Sequence, residues 1–181
     1  LAGDSRRPVR DRPTWMMVVQ LSLLSAFTMG YGATLALLRD EQGTSRALAG
    51  LHPAAFSFAG ILGALLAARL VRRSGRSTTI RYGMIGMAIG IALFTVPLGP
   101  AVTIPALAIA ACCMTIALTG INAFLLRYQG EAGPAALTQA NAVAAFTGFL
   151  APLVIGAGAA TFLGWRFGVW IVAIGMVIGE V

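Results

Sequence analysis

A run of arginines lies between two long apolar stretches, and no other feature constrains this chain as tightly. Ala68-Arg69-Leu70-Val71-Arg72-Arg73-Ser74-Gly75-Arg76, with Arg81 close behind, follows a mostly apolar segment and precedes another. A hydrocarbon core about 30 Å thick takes about 20 helical residues to cross. The chain therefore reads as crossing a bilayer, turning on a basic bend at its surface, and crossing back. Hydrophobic residues make up 58% of the 181, and charged residues only 10%. Soluble domains carry about 25% charged residues. This chain cannot cover a water-facing surface and needs the bilayer as part of its solvent.

The expected class is an all-α polytopic membrane protein. Spans are predicted at 15–38, 48–68, 82–98, 101–126, 140–163 and 167–181, after a polar tail over 1–14. The runs are continuously apolar and lack the alternation of barrel strands. A helix also satisfies its backbone groups within the span, as lipid demands. The tail has no signal-peptide pattern of a short apolar core and a small-residue cleavage site. Gly60, Gly63 and Ala67 in the second span, and Gly83, Gly86 and Gly90 in the third, put small residues on helix faces, where they let helices approach closely. The last run would rise only about 22 Å as a helix, and the chain begins at Leu1. The sequence is therefore expected to be a fragment whose partner half is missing.

The net charge of +7 comes from arginine, because the chain has no lysine. The tail holds Arg6, Arg7, Arg10 and Arg12, the basic bend holds five more, and Arg127 follows the fourth span. These segments fall on one side, against Arg39, Arg46 and Arg166 on the other. The bias places the N-terminus and the basic bend in the cytoplasm of a cell with this protein in its plasma (inner) membrane. No basic patch interleaved with aromatics points to nucleic acid. Adjacent Cys112 and Cys113 lie in an apolar run and read as small buried hydrophobes.

Polar residues inside spans are the candidates for chemistry. Thr115, Thr119 and Asn122 are offset by four and seven, which places them on one helical face. Thr28 and Tyr31 share a face of the first span. The alternative is local bonding, with hydroxyls returning to their own helix and Asn122 reaching a neighbour. His52, one turn into the second span, is the only histidine. A neutral imidazole can relay protons, or it can simply be a hydrogen-bonded interfacial residue. One histidine cannot build a zinc site. No carboxylate lies mid-span: Asp40 and Glu41 sit in an outer turn, Glu131 in an inner loop and Glu180 at the end.

The basic bend resembles the loop between the second and third helices of the major facilitator superfamily. The family pattern is a small residue, three variable residues, then Asp-Arg-x-Gly-Arg. Arg73, Gly75 and Arg76 match it, while Ala68 replaces the usual glycine and Arg72 the acid. Leu163-Gly164-Trp165-Arg166-Phe167 is similar to the family's turn between helices five and six. The six-span layout, as two three-helix repeats, resembles the N-terminal half of a twelve-helix transporter over essentially the whole chain. Pro152 and Gly156 echo part of the antiporter motif on the fifth helix. Thr147, Ala151 and Ile155 stand where its glycines would be, so no antiporter is inferred.

The resemblance implies transport of a small organic solute by alternating access, secondary-active or facilitative, with no cofactor and the missing C-terminal half as partner. It implies that the first and fourth helices line the cavity, which makes Thr28, Tyr31, Thr115, Thr119 and Asn122 the candidate substrate face. It implies a cytoplasmic gating role for Arg72, Arg73, Gly75 and Arg76, with the sign reversed at Arg72. Positive-inside anchoring alone would also account for these arginines. His52 is the candidate proton relay. Two other readings compete. An intramembrane enzyme would need a Gly-x-Ser-Gly nucleophile with a paired histidine, or His-Glu-x-x-His, and neither occurs. In a membrane scaffold or regulatory subunit, the polar stripes would be interhelical glue.

Overall fold

A computed structural model describes residues 7–179. Arg6, Glu180 and the end of the expected sixth span lie outside the described residues. The described residues form six α-helices: α1 Arg12–Gln42, α2 Arg46–Ser74, α3 Arg76–Phe94, α4 Pro100–Tyr128, α5 Gly133–Ala159 and α6 Gly164–Ile178. A single 3-10 turn, Gly130–Ala132, precedes α5, and there is no strand among the described residues. The first five helices are long and apolar enough to cross a membrane, and α6 is a shorter apolar helix.

The helix ends follow local chemistry rather than hydropathy. Asp11 caps α1 by accepting from the Thr14 N–H at 3.1 Å, and Pro13 sits in the first turn, where its missing N–H costs nothing. Ser45 caps α2 by accepting from the Leu48 N–H. These polar ends extend the helices beyond the apolar spans. α1 runs on to Gln42, and α3 begins at Arg76, not Tyr82, and stops at Phe94. α5 begins at Gly133, not Ala140, and stops at Ala159. The stretch expected as a loop from Arg69 to Arg81 is helical except at Gly75. Arginine is a good helix former, so the charged residues end the apolar run without ending the helix. Gly75 breaks it, at φ 79° and ψ 167°, a region essentially open to glycine alone.

α1 packs along α5, α2 along α4, and α3 along α4, with α6 leaning on α3 and α5. Exchanging the first three helices for the last three maps the α1–α5 pair onto the α4–α2 pair, as two three-helix repeats require. Close approach depends on glycine. A Cβ at Gly90 would lie 2.6 Å from the Ala110 nitrogen, and one at Gly83 2.7 Å from that of Ala117. The core runs along this α3–α4 seam through Met84, Met87, Ile91 and Phe94 against Leu107, Ala110, Ile121 and Leu125. Outward faces are apolar: Phe58, Ile61 and Leu65 on α2, and Phe146, Phe149 and Leu153 on α5, are all exposed. Patches of this kind need lipid or another protein surface over them. The end of the bundle carrying Arg12, Gly75 and Gln129 is the tail end, and the opposite one, with Glu41 and Gly164, is the Glu41 end.

Candidate functional site

α1 and α4 meet at mid-depth. Thr28 donates its hydroxyl to the Leu24 carbonyl at 2.8 Å, and its oxygen lies 3.1 Å from the Met114 sulfur. One turn on, the Tyr31 ring stacks on Phe56 of α2, with centroids 4.6 Å apart and planes 16° apart. Phe27 extends the stack from the other side at 6.2 Å. Among the described residues the Tyr31 hydroxyl has no hydrogen-bond partner.

The stripe on α4 runs from this junction toward the tail end. Thr115 donates to the Ala111 carbonyl at 3.0 Å, and Thr119 to that of Thr115 at 2.9 Å. Thr115 also stands over Gly60 of α2. Both hydroxyl protons are thus spent on the helix's own backbone, which leaves each oxygen free to accept. Asn122 differs. Its carbonyl oxygen is buried without a partner. A buried acceptor left unmet costs about 1–3 kcal/mol, so this amide is the strongest unmet polar demand on the stripe. The structure sets Thr28 against Met114 of α4, Tyr31 against Phe56 of α2 and Thr115 against Gly60 of α2, with Thr119 and Asn122 one and two turns farther along α4. The middle of every described helix is free of charge, because each Asp, Glu and Arg falls near a helix end or in a turn.

His52 lies elsewhere, buried at the Glu41 end. Its Nδ1 faces the Ala49 carbonyl at 3.2 Å, so that nitrogen carries the proton. Its Nε2 then accepts from the Thr103 hydroxyl of α4 at 2.9 Å, and Gln42 of α1 donates to the same oxygen at 3.5 Å. Both ring nitrogens are engaged, and no carboxylate among the described residues hydrogen-bonds the ring.

Beside it is a cluster that the sequence did not single out. Arg166 of α6 pairs with Glu41 of α1 at 2.7 Å, and its Nε donates to the Thr95 carbonyl after α3 at 2.8 Å. The Trp165 indole donates to the other Glu41 oxygen at 3.2 Å. The Arg166 guanidinium lies over the Trp165 ring at 4.6 Å, and that ring meets Phe94 edge-on. The Gly-Trp-Arg turn was visible in the sequence, but its acidic partner across the bundle was not.

The tail end has different chemistry. Arg72 and Arg73 project from the last turn of α2 into solvent, and Arg76 is half-buried with its Nε unmatched. None of the three meets an acid among the described residues. Gln129, after α4, clasps the tail: it accepts from the Val9 N–H at 2.8 Å and donates to the Val9 carbonyl at 2.9 Å. The Tyr128 hydroxyl donates to Asp11, which holds that carboxyl below the usual aspartate range. The described residues bring together no group of three acidic, histidine or cysteine side chains able to hold a metal ion.

The sequence model of the Major Facilitator Superfamily matches residues 16–181. The chain belongs to the Major Facilitator Superfamily. Its members are membrane transporters, so this is a multi-pass membrane protein of a transport family, lying in a bilayer. No curated protein shows significant similarity to it.

Proposed function

We propose that this chain is the N-terminal six-helix half of a transporter that moves a small organic solute by alternating access. Solute would bind at the α1–α4 junction, against the Tyr31–Phe56 stack and the Thr115, Thr119 and Asn122 stripe. The buried, unmatched Asn122 oxygen carries the reading, because a solute donor would satisfy it. The absence of charge at mid-depth favours a solute whose recognition here rests on hydrogen bonds and ring contact. Binding near the midplane between repeats is where such folds place substrates. The exposed apolar faces of α2 and α5 would be covered by the second half. The tail end would face the cytoplasm, with Arg72, Arg73, Gly75 and Arg76 at the gate.

Coupling to protons through His52 would require the Thr103 bond to break and reform. The alternative, facilitated diffusion, leaves that bond intact throughout. A His52→Gln variant whose uptake keeps its pH profile favours the second.

The test of the site is a labelled-solute panel taken up by cells expressing the full-length protein. Asn122→Leu and Thr115→Val are expected to cut uptake of the transported solute about tenfold each, the value of one hydrogen bond, at unchanged membrane levels. Unchanged uptake with altered assembly would instead make this a scaffold, with the stripe as interhelical glue.

A further inference from the structure

The described part of the N-terminal tail, from residue 7 on, does not hang free. It arches over the tail end of the α1–α5 seam, held there by the paired Gln129 bonds to Val9 and by the Asp11 cap. Under it runs a groove of about 340 Å³, walled by Trp15 and Val18 of α1 and by Ala142 and Val143 of α5. The groove borders a wider hollow of about 610 Å³ lined by Arg7, Pro8, Arg10 and Gln139. The walls are apolar and the mouth is cationic. Neither Arg7 nor Arg10 has an acidic partner among the described residues. Trp15 is half exposed on the groove wall.

We propose that this groove binds an anionic phospholipid, with its phosphate on Arg7 and Arg10 and an acyl chain along Trp15, Val18 and Val143. A guanidinium matches a phosphate with two parallel hydrogen bonds. Apolar walls suit an acyl chain from the surrounding lipid where the second half leaves this end of α5 uncovered, and an indole at this depth sits where membrane interfaces favour it. A free inorganic anion would leave the apolar walls unused. A zwitterionic lipid would bring its own cation to a mouth that already holds two. The Gln129 clasp keeps the arginines over the groove instead of letting them follow a loose tail into solvent. The site is separate from the α1–α4 junction and stands or falls independently of what is transported.

The test uses the full-length protein in detergent, titrated with phosphatidylglycerol or phosphatidylcholine carrying brominated acyl chains. The signal is the tryptophan quenching lost in Trp15→Phe, which removes the contributions of Trp165 and Trp170. Quenching is expected at much lower concentrations of the anionic lipid, with about a fivefold preference for each arginine. Arg7→Gln with Arg10→Gln should abolish the preference, and Arg7→Lys with Arg10→Lys should keep most of it. An unchanged melting temperature in the glutamine variant shows that the fold is intact. Inorganic phosphate at millimolar concentration should not displace the lipid. Equal quenching by the two lipids would overturn the proposal, as would a preference that survives both glutamine substitutions. Full displacement by inorganic phosphate would identify a free-anion site instead. Absence of Trp15 quenching by either lipid would show the groove covered by another part of the protein, and would also overturn it.

Discussion

The two ends of the bundle are held by different means. At the Glu41 end, side chains from five helices bond across the structure: Glu41 and Gln42 of α1, His52 of α2, Phe94 of α3, Thr103 of α4, and Trp165 and Arg166 of α6. At the tail end, α2 and α3 are joined through one glycine, Arg72, Arg73 and Arg76 find no acid among the described residues, and the end of α4 is tied to the tail and the start of α1 by Gln129, which bonds Val9 and Thr14, and by Tyr128, which bonds Asp11. One end gathers side chains of five helices into one cluster, and the other ties the end of α4 to the start of α1 while the α2–α3 turn rests on the conformation of Gly75. In the proposed transport cycle, a structure that opens and closes about a fixed site would break the bonds of one end at a time, and the two sets differ in kind.

Substitutions can break this contrast. The largest effect is expected at His52, which is buried. His52→Ala removes a packed ring and leaves the Thr103 hydroxyl without its best partner. A loss of about 3 kcal/mol is expected, read as a lowered melting temperature in detergent. Gly75→Ala should cost about 2 kcal/mol, because φ 79° with ψ 167° strains any residue with a Cβ. If it costs nothing, the tail-end turn is looser than its geometry implies. Arg166→Ala should cost about 1 kcal/mol. Its pair with Glu41 is about one-third exposed, so solvent screens much of the charge term. Most of the loss falls on the Thr95 hydrogen bond and the Trp165 contact. Arg72→Ala and Arg73→Ala, by contrast, should leave stability within about 0.5 kcal/mol of wild type, and any larger change would reveal a partner for them.

The smallest effect is a pH dependence at the tail. Asp11 titrates below the ordinary aspartate value of about 3.9 because Tyr128 and Thr14 bond its carboxylate. A carboxyl depressed in the folded state stabilises above its unfolded value, and that stabilisation fades as pH falls through the folded one. The melting-temperature gap between wild type and Asp11→Asn should therefore narrow below about pH 4. A constant gap would assign the effect to the cap alone.

The crossings, and the polar stripe at positions 115, 119 and 122, were readable along the chain. A helix that must hide its backbone in lipid shows itself as an apolar run, and residues on one helical face recur at a fixed spacing. Helix ends were less readable. Arg69, Arg72 and Arg73 look like loop by charge yet are helical, because hydropathy reports where the apolar layer stops and only capping chemistry reports where the helix does. The stripe was visible, but the distinction within it was not. Spacing treats Thr115 and Asn122 alike, while the fold shows the first satisfied by its own helix and the second left with a buried, unmatched oxygen.

Composition and periodicity by themselves determined that this polypeptide is a bundle of apolar helices with its charges at the ends, because an unpaired charge at the bilayer centre costs several kcal/mol. The pairings were decided only in three dimensions. Glu41 finds Arg166 across 125 residues, and Val9 finds Gln129 across 120. Contacts at that range depend on how each helix is rotated and where its axis lies. Those choices follow from which small residues let two backbones meet, and a one-dimensional hydropathy pattern does not record them.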